Sequence, residues 1–175
     1  AAVRRRDRAV EPLEERLLLD GTQPFPGPLD PVKPLGTLVF EKSHTDHISV
    51  VGETDSFTIR LDPGQTVAAV VRPADGALRT RLQLRDPDLE LLGSADAAGS
   101  GQSAVLLATP ASAGGSYQLD VVSLAGSGDY TVTLTLNATV EAEGIVPLAS
   151  NDTRATAQGL NDSRVVLESG ASHVA

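Results

Sequence analysis

The sequence predicts an all-β protein: an antiparallel β-sandwich, jelly-roll-like, preceded by a disordered N-terminal tail. Residues 36 to about 140 alternate apolar and polar side chains with a period of two in many short runs. Turn residues, chiefly Gly, Pro and Asp, separate these runs at short intervals. No long stretch has the 3.6-residue period of an amphipathic helix, so the pattern favours a sandwich or barrel.

The predicted strands follow one another along the module. Residues 55–61, DSFTIRL, place their apolar side chains on one face and end at an Asp-Pro-Gly turn. Residues 65–72, QTVAAVVR, are apolar almost throughout, as in a more fully buried strand. Residues 79–88, RTRLQLRDPD, alternate again, with the leucines inward and arginine and glutamine outward. Two further runs, 115–123 and 128–140, turn Tyr, Leu and Val to one face and complete the strand pattern.

Residues 1–35 are predicted to be a tail and linker outside the folded module. A basic cluster, RRRDR, precedes a leucine-rich stretch, EPLEERLLLD. The segment from Thr22 to Pro34 is rich in proline, which removes amide donors and favours extended backbone without partners. The sequence therefore places the β-sandwich at residues 36–140.

Residues 141–175 are predicted to be a linker followed by the truncated start of a second, similar module. The stretch 37–50, TLVFEKSHTDHISV, is similar to 164–175, RVVLESGASHVA. A repeat that stops within a strand cannot bury its apolar face. We therefore expect a tandem-repeat protein whose chain continues into further modules.

Five short motifs occur in a fixed order within residues 36–140. They are Asp55–Leu61, Gly64-Gln65, Leu82–Pro87, Gly115–Tyr117 and Gly128–Tyr130. In this order and spacing the set resembles the PPC domain, the bacterial pre-peptidase C-terminal module. Residues Asn151–Gln158, NDTRATAQ, resemble the N-D-T-x-A-T-A-Q opening that stands in front of such a module. The resemblance implies a non-catalytic sandwich and supports the second repeat.

The leucine-rich N-terminal stretch also resembles a known segment. Leu13 to Leu19 is similar to the LEPR-XLL segment near the N-terminus of large planctomycete surface proteins, with Glu15 in the position of its proline. The resemblance implies export and an extracellular or cell-surface location. An ordinary amphipathic N-terminal helix is the alternative. Three consecutive leucines are too few for a signal peptide, whose apolar region runs for about 7 to 15 residues.

The composition argues against several classes of function. The formal net charge is -9, whereas a nucleic-acid partner requires a basic face that displaces counterions. The chain has 0 Cys, which excludes a disulfide framework and cysteine-ligated zinc. No apolar run approaches the roughly 18 residues of a membrane span. No G-x-S-x-G nucleophile motif is present, and no carboxylate pair stands out for glycoside hydrolysis. The sequence therefore predicts no enzyme and no cofactor.

His44 and His47 stand three residues apart beside Asp46. A zinc site at this spacing requires a helix to bring the two imidazoles together, and no further ligand is near in sequence. We therefore expect these histidines to lie in a solvated loop-to-strand segment.

The resemblance leaves open whether the protein binds calcium. It prefers carboxylate and carbonyl oxygens, and some relatives of the PPC module hold it where the leading linker meets the first strands. The resemblance makes Asp46 and Asp55 candidate ligands in the first module, and Asn151 and Asp152 candidate ligands in the second. The alternative for Asp55 is a strand-start residue that bonds to nearby amides.

The predicted function is that of a non-catalytic β-sandwich module in a large exported or cell-surface bacterial protein, acting as spacer, adaptor or accessory domain. A carbohydrate-binding module is the first alternative. The jelly-roll shape suits it, but only 2 Tyr and 3 Phe are present, and sugars usually stack on exposed aromatic rings. An accessory domain attached to a secreted peptidase is the second. The partner stays unidentified, with surface polysaccharide and surface protein both open.

Overall fold

The fold is that of a computed structural model. It describes residues 21–32, 34, 36–147 and 149–159, and the backbone of 164–166 and 172–174. The predicted tail over residues 1–20, including the segment that resembles LEPR-XLL, lies outside the described residues. Within the described ranges the chain forms β-strands joined by turns, and none of these residues is helical.

The strands of the sandwich form two sheets. Sheet A contains, from edge to edge, β1 (Gln23–Pro24), β4 (Thr54–Leu61), β9 (Gly115–Ala125), β6 (Arg79–Arg85) and β7 (Leu91–Asp96). Sheet B contains, in the same way, β2 (Asp30–Pro31), β3 (Phe40–Ile48), β10 (Gly128–Leu136), β5 (Thr66–Pro73) and β8 (Ala104–Pro110). A separate pair consists of β11 (Arg164–Val166) and β12 (Ser172–Val174).

The eight strands β3 to β10 have the order of a jelly roll. They form two interleaved four-stranded sheets, β4-β9-β6-β7 and β3-β10-β5-β8, in which all neighbours are antiparallel. Every connection between successive strands crosses from one sheet to the other, except the one between β6 and β7. This arrangement is a double-sheet jelly roll. The predicted fold class is therefore confirmed.

The core lies between the two sheets, where every second residue of each strand points inward. On β6 the inward residues Leu82 and Leu84 are buried, as their alternation with arginine and glutamine predicts. Strand β5 is buried on both faces over residues 66–71 and lies inside sheet B between β10 and β8. The largest fully buried side chains of the core include Tyr117, Tyr130, Phe57, Ile48 and Leu61.

Residues 21–32 are part of the sandwich, which differs from the predicted linker. β1 pairs in parallel with β4, and β2 pairs antiparallel with β3. Between these two short strands, Phe25 enters the core and keeps 8 % of its surface exposed. The prolines permit this pairing because edge strands tolerate a missing amide hydrogen. We call residues 21–32 the strap, because they cover the β3 and β4 edges of the sandwich.

The chain beyond β10 begins with residues 137–147 and 149–159, which form turns and bends and which together we call the connector. β11 and β12 then pair antiparallel with each other. In the match with the first module, β12 corresponds to residues 46–48 of β3, whereas β11 corresponds to residues 37–39, which precede that strand. The second repeat therefore stays a prediction.

Candidate functional site

The first and last long strands of the sandwich meet at one end, whereas the strap begins beside the middle of β4. β3 and β10 are antiparallel neighbours, with Phe40 opposite Leu136. β3 begins at Phe40 and β10 ends at Leu136, so the start of β3 and the end of β10 lie side by side. The side-chain amide of Asn137 donates to the carbonyl oxygen of Leu38 at 2.8 Å and fastens one to the other. We call this the proximal end, and the end where β3 turns into β4 the distal end.

A cluster of titratable side chains lies near the distal end, between the sheets. Tyr130 on β10 is fully buried and donates its hydroxyl proton to Oδ2 of Asp55 on β4, with 2.6 Å between the oxygens. This bond joins sheet B to sheet A and satisfies a hydroxyl that is cut off from water. Burial raises the pKa of the Asp55 carboxyl, and the hydrogen bond from Tyr130 opposes that rise. The negative charges of Asp46 and Glu53 raise this pKa further.

The same bond has a second consequence for the tyrosine. Burial, followed by the hydrogen bond to Asp55, raises the pKa of Tyr130 well above its ordinary value. The phenol therefore stays protonated and acts as a donor, not as a base. The partner of Asp55 is thus a hydroxyl from the opposite sheet, whereas its position at a strand start predicted nearby amides.

The two histidines of this region lie on β3, three residues apart and therefore on opposite faces of the strand. Nδ1 of His47 is 2.6 Å from Oδ1 of Asp129. The side chain of His44 points into the space between the two sheets. There its ring meets the ring of Phe57 edge-on, with 5.7 Å between the centroids. Nε2 of His44 is 3.5 Å from Oδ2 of Asp46. The expected solvated loop is therefore wrong, because a regular strand holds both imidazoles.

The four predicted calcium ligands lie in two different segments. Asp46 and Asp55 lie in the cluster of titratable side chains near the distal end. The backbone N–H of His47 donates to Oδ1 of Asp46 at 2.9 Å. Asn151 and Asp152 lie in the connector, where their side chains bond to other connector residues. Across the residues that the structure describes, no three His, Asp or Glu side chains are grouped so as to hold a metal ion. Calcium binding by these residues stays a prediction.

The outer face of sheet A carries a polar network that sequence reasoning missed. Its centre is Asp120 on β9, whose side chain is only 6 % exposed. Oδ1 of Asp120 accepts hydrogen bonds from the hydroxyl of Ser56, at 2.7 Å, and from the amide of Gln118, at 2.8 Å. Oδ2 accepts from Nε of Arg85 at 3.1 Å. Arg85 also donates to the side-chain oxygen of Gln83 at 3.4 Å.

Register explains why this network forms. Ser56 on β4 and Gln83 on β6 both lie directly opposite Asp120, one on each side of β9. The alternation of β6 shows that Gln83 points outward, but it cannot show which residue of another strand stands beside it. The result is a set of carboxylate, amide and guanidinium groups held in fixed positions on one face. Such groups can bond the hydroxyls of a sugar or another polar ligand.

Comparison with known proteins identifies no family for this chain. No protein-family model matches this chain, and no curated protein matches it. Among solved structures, it is similar to the periplasmic inhibitor of g-type lysozyme from Aeromonas hydrophila, at 17 % identity and a TM-score of 0.38, covering 66 % of this chain and 94 % of that one. It is also similar to the C-terminal CBM6 of LamC, a laminarinase from Zobellia galactanivorans, at 15 % identity and a TM-score of 0.36, covering 55 % and 98 %.

A third similar structure is that of the infectious bursal disease virus Gx strain, at 12 % identity and a TM-score of 0.35, covering 66 % of this chain and 39 % of that one. The strand order of the two sheets, rather than these likenesses, defines the fold. In the part of the chain that the structure describes, no helix has the length and apolar character needed to cross a membrane.

Proposed function

We propose that this chain contains a non-catalytic β-sandwich module of a larger exported bacterial protein, and that it serves there as a spacer, adaptor or accessory domain on or outside the cell surface. The observation that carries the proposal is the jelly-roll sandwich with its own closed core. The strap begins beside the middle of β4, and β10 ends at the proximal end, so the chain reaches and leaves the module at two different places. A folded unit of this kind, carried within a longer chain, suits each of these three roles.

Two resemblances support the exported setting. The ordered motifs of residues 36–140 resemble a PPC module, and Leu13 to Leu19 resemble the LEPR-XLL segment of planctomycete surface proteins. An accessory domain of a secreted peptidase is a special case of the same proposal. It requires a peptidase in the continuation of the same chain, and sequencing of the complete open reading frame decides between the two.

The non-catalytic role is supported by how the titratable groups are engaged. Asp55, the carboxyl with the raised pKa, is bonded to a phenol that stays protonated, and His47 is paired with Asp129. We expect no hydrolysis of peptide, ester or glycoside substrates above the rate of an Asp55→Asn variant. Turnover that the wild type shows and a folded Asp55→Asn variant lacks would contradict the proposal.

A carbohydrate-binding role is the second candidate, and the network around Asp120 favours it. The face offers polar groups whose rotamers are already fixed by their neighbours, which lowers the entropy lost on binding. Retention of the purified chain on insoluble cellulose, chitin and peptidoglycan tests this role. A Gln118→Ala variant should lose the retention, whereas Thr133→Ala, on β10 of the other sheet, should keep it. Absence of wild-type retention on all three polymers would remove the candidate.

A further inference from the structure

The connector holds the remaining structural feature that the adaptor role does not explain. Of residues 151–159, only Asn151 and Gln158 are partly buried, and the others are exposed. These two are the first and last residues of the NDTRATAQ motif. Both bond back to the stretch that directly follows β10. The motif is thus bonded at its two ends to residues 139–142 of the connector.

Gln158 makes the more specific of the two attachments. Its Nε2 donates to the carbonyl oxygen of Val140 at 2.8 Å and to Oγ1 of Thr139 at 3.3 Å. Its Oε1 accepts from the backbone N–H of Ala142 at 3.0 Å. A single amide side chain thereby pairs with a carbonyl and an N–H two residues apart, as a neighbouring strand would. The neutral amide of Gln carries an N–H donor and a carbonyl acceptor side by side, which suits this pairing.

Asn151 and a local turn support the same closed shape. Nδ2 of Asn151 donates to Oε1 of Glu141 at 2.9 Å. Between the two attachments, the backbone N–H of Thr156 donates to the carbonyl oxygen of Thr153 at 3.0 Å, and their hydroxyls bond at 2.9 Å. The segment is therefore a compact loop with its ends together rather than an extended linker.

We infer that Gln158 is a clasp that sets the position of whatever follows residue 159 in the chain. While the clasp is closed, residue 159 starts beside residues 140–142, at the proximal end of the sandwich. With the clasp open, the loop is held by the exposed bond from Asn151 to Glu141, and loss of that bond frees residues 143–157 to extend by about 50 Å. The connector thus has a short and a long state, and the three hydrogen bonds of Gln158 favour the short one. This inference does not depend on the adaptor role, because it rests on bonds within the connector alone.

Amide hydrogen exchange of residues 1–175, followed by NMR, tests the clasp at its acceptor. The Ala142 amide should be protected about tenfold in the wild type, from its bond to Gln158, and should lose that protection in Gln158→Ala. Arg154→Ala, an exposed substitution in the same segment, should leave it unchanged. Equal exchange of Ala142 in the wild type and in Gln158→Ala would overturn the inference.

A Gln158→Glu variant distinguishes a clasp, which needs the hydrogen-bond donor of residue 158, from a side chain that only fills space. The ionised carboxylate has no proton for the Val140 carbonyl and repels its oxygen, so the clasp should open and the protection of the Ala142 amide should be lost at neutral pH. Below the ordinary glutamate pKa of about 4.3, the protonated acid regains a donor and protection should return. A Gln158→Glu variant whose Ala142 protection does not change with pH would contradict the role of the donor.

Energy transfer between two dyes measures the change in the length of the connector. Since the chain has 0 Cys, Ala138→Cys and Gly159→Cys can be labelled without background. A freed connector should have a root-mean-square separation of about 25 Å between these positions. Energy transfer should therefore fall when Gln158→Ala is added to the labelled pair, and it should not fall with Arg154→Ala. Equal transfer in all three proteins would refute the two-state connector.

Discussion

Replacement of Phe25 by alanine tests whether the strap is part of the folded module. Phe25 is 8 % exposed, and its ring meets those of Phe57 at 5.6 Å and His44 at 6.4 Å, in each case edge-on. A Phe→Ala change in a packed core costs about 3–5 kcal/mol. Phe25 lies at the edge of the core on a short segment that can shift, so we expect a loss of about 2–3 kcal/mol.

The assay is urea unfolding followed by circular dichroism, with Leu38→Ala as the matched control. Leu38 lies between the strap and β3 but is 42 % exposed, so its truncation should cost less than about 0.5 kcal/mol. For a module of this size, the Phe25→Ala loss corresponds to a fall in Tm of about 8–12 °C. A chain that starts at residue 36 lacks the whole strap and should lose at least as much. If Phe25→Ala is no more damaging than Leu38→Ala, the strap does not stabilise the sandwich.

Three further predictions concern single side chains. Thr80→Val should raise the free energy of unfolding by about 1 kcal/mol, because Oγ1 of Thr80 is buried without a hydrogen-bond partner; a clear loss in urea unfolding would contradict this. Gly126→Ala should cost about 1–3 kcal/mol more than Gly52→Ala: both glycines have positive φ, but only at Gly126 would the added Cβ lie 2.2 Å from a carbonyl oxygen, that of Ala77. Equal losses in the two variants would show that the backbone conformation alone matters. Because folding raises the pKa of Asp55, the folded protein binds more protons just above the ordinary aspartate pKa, so this group's contribution to stability falls as pH rises through the raised value. Asp55→Asn should lack that fall, and parallel stability-against-pH curves for the two proteins would refute the argument.

The strands of the jelly roll were largely predictable because their signals are local. Alternation placed Leu82 and Leu84 inward, and the nearly unbroken apolar run of β5 indicated burial on both faces. The strap was missed for a physical reason. β1 and β2 have two residues each and contain proline, so neither shows a period, and their pairing depends on the edges that β3 and β4 offer.

The candidate sites were harder to predict because they depend on register. Asp46 and Asp55 were selected from a resemblance, and the structure places them in one cluster. The hydrogen bond from Tyr130 to Asp55 joins residues 75 positions apart, and the bond between Ser56 and Asp120 joins residues 64 positions apart. No local pattern specifies such contacts, since a shift of one residue in either strand would move each side chain to the other face.

The distance between the start of β3 and the end of β10 tests the jelly-roll strand order most directly. Spin labels at Leu38→Cys and Ala138→Cys flank the hydrogen bond from Asn137 to Leu38, and the chain has 0 Cys to interfere. If β3 and β10 pair as described, the spin–spin separation should be below about 20 Å, since paired strands are about 5 Å apart and each label adds its own length. A separation of about 30 Å or more, the length of a nine-residue strand such as β3, would place these two strand ends at opposite poles. That result would contradict the antiparallel pairing of β3 with β10 and with it the strand order of the sandwich.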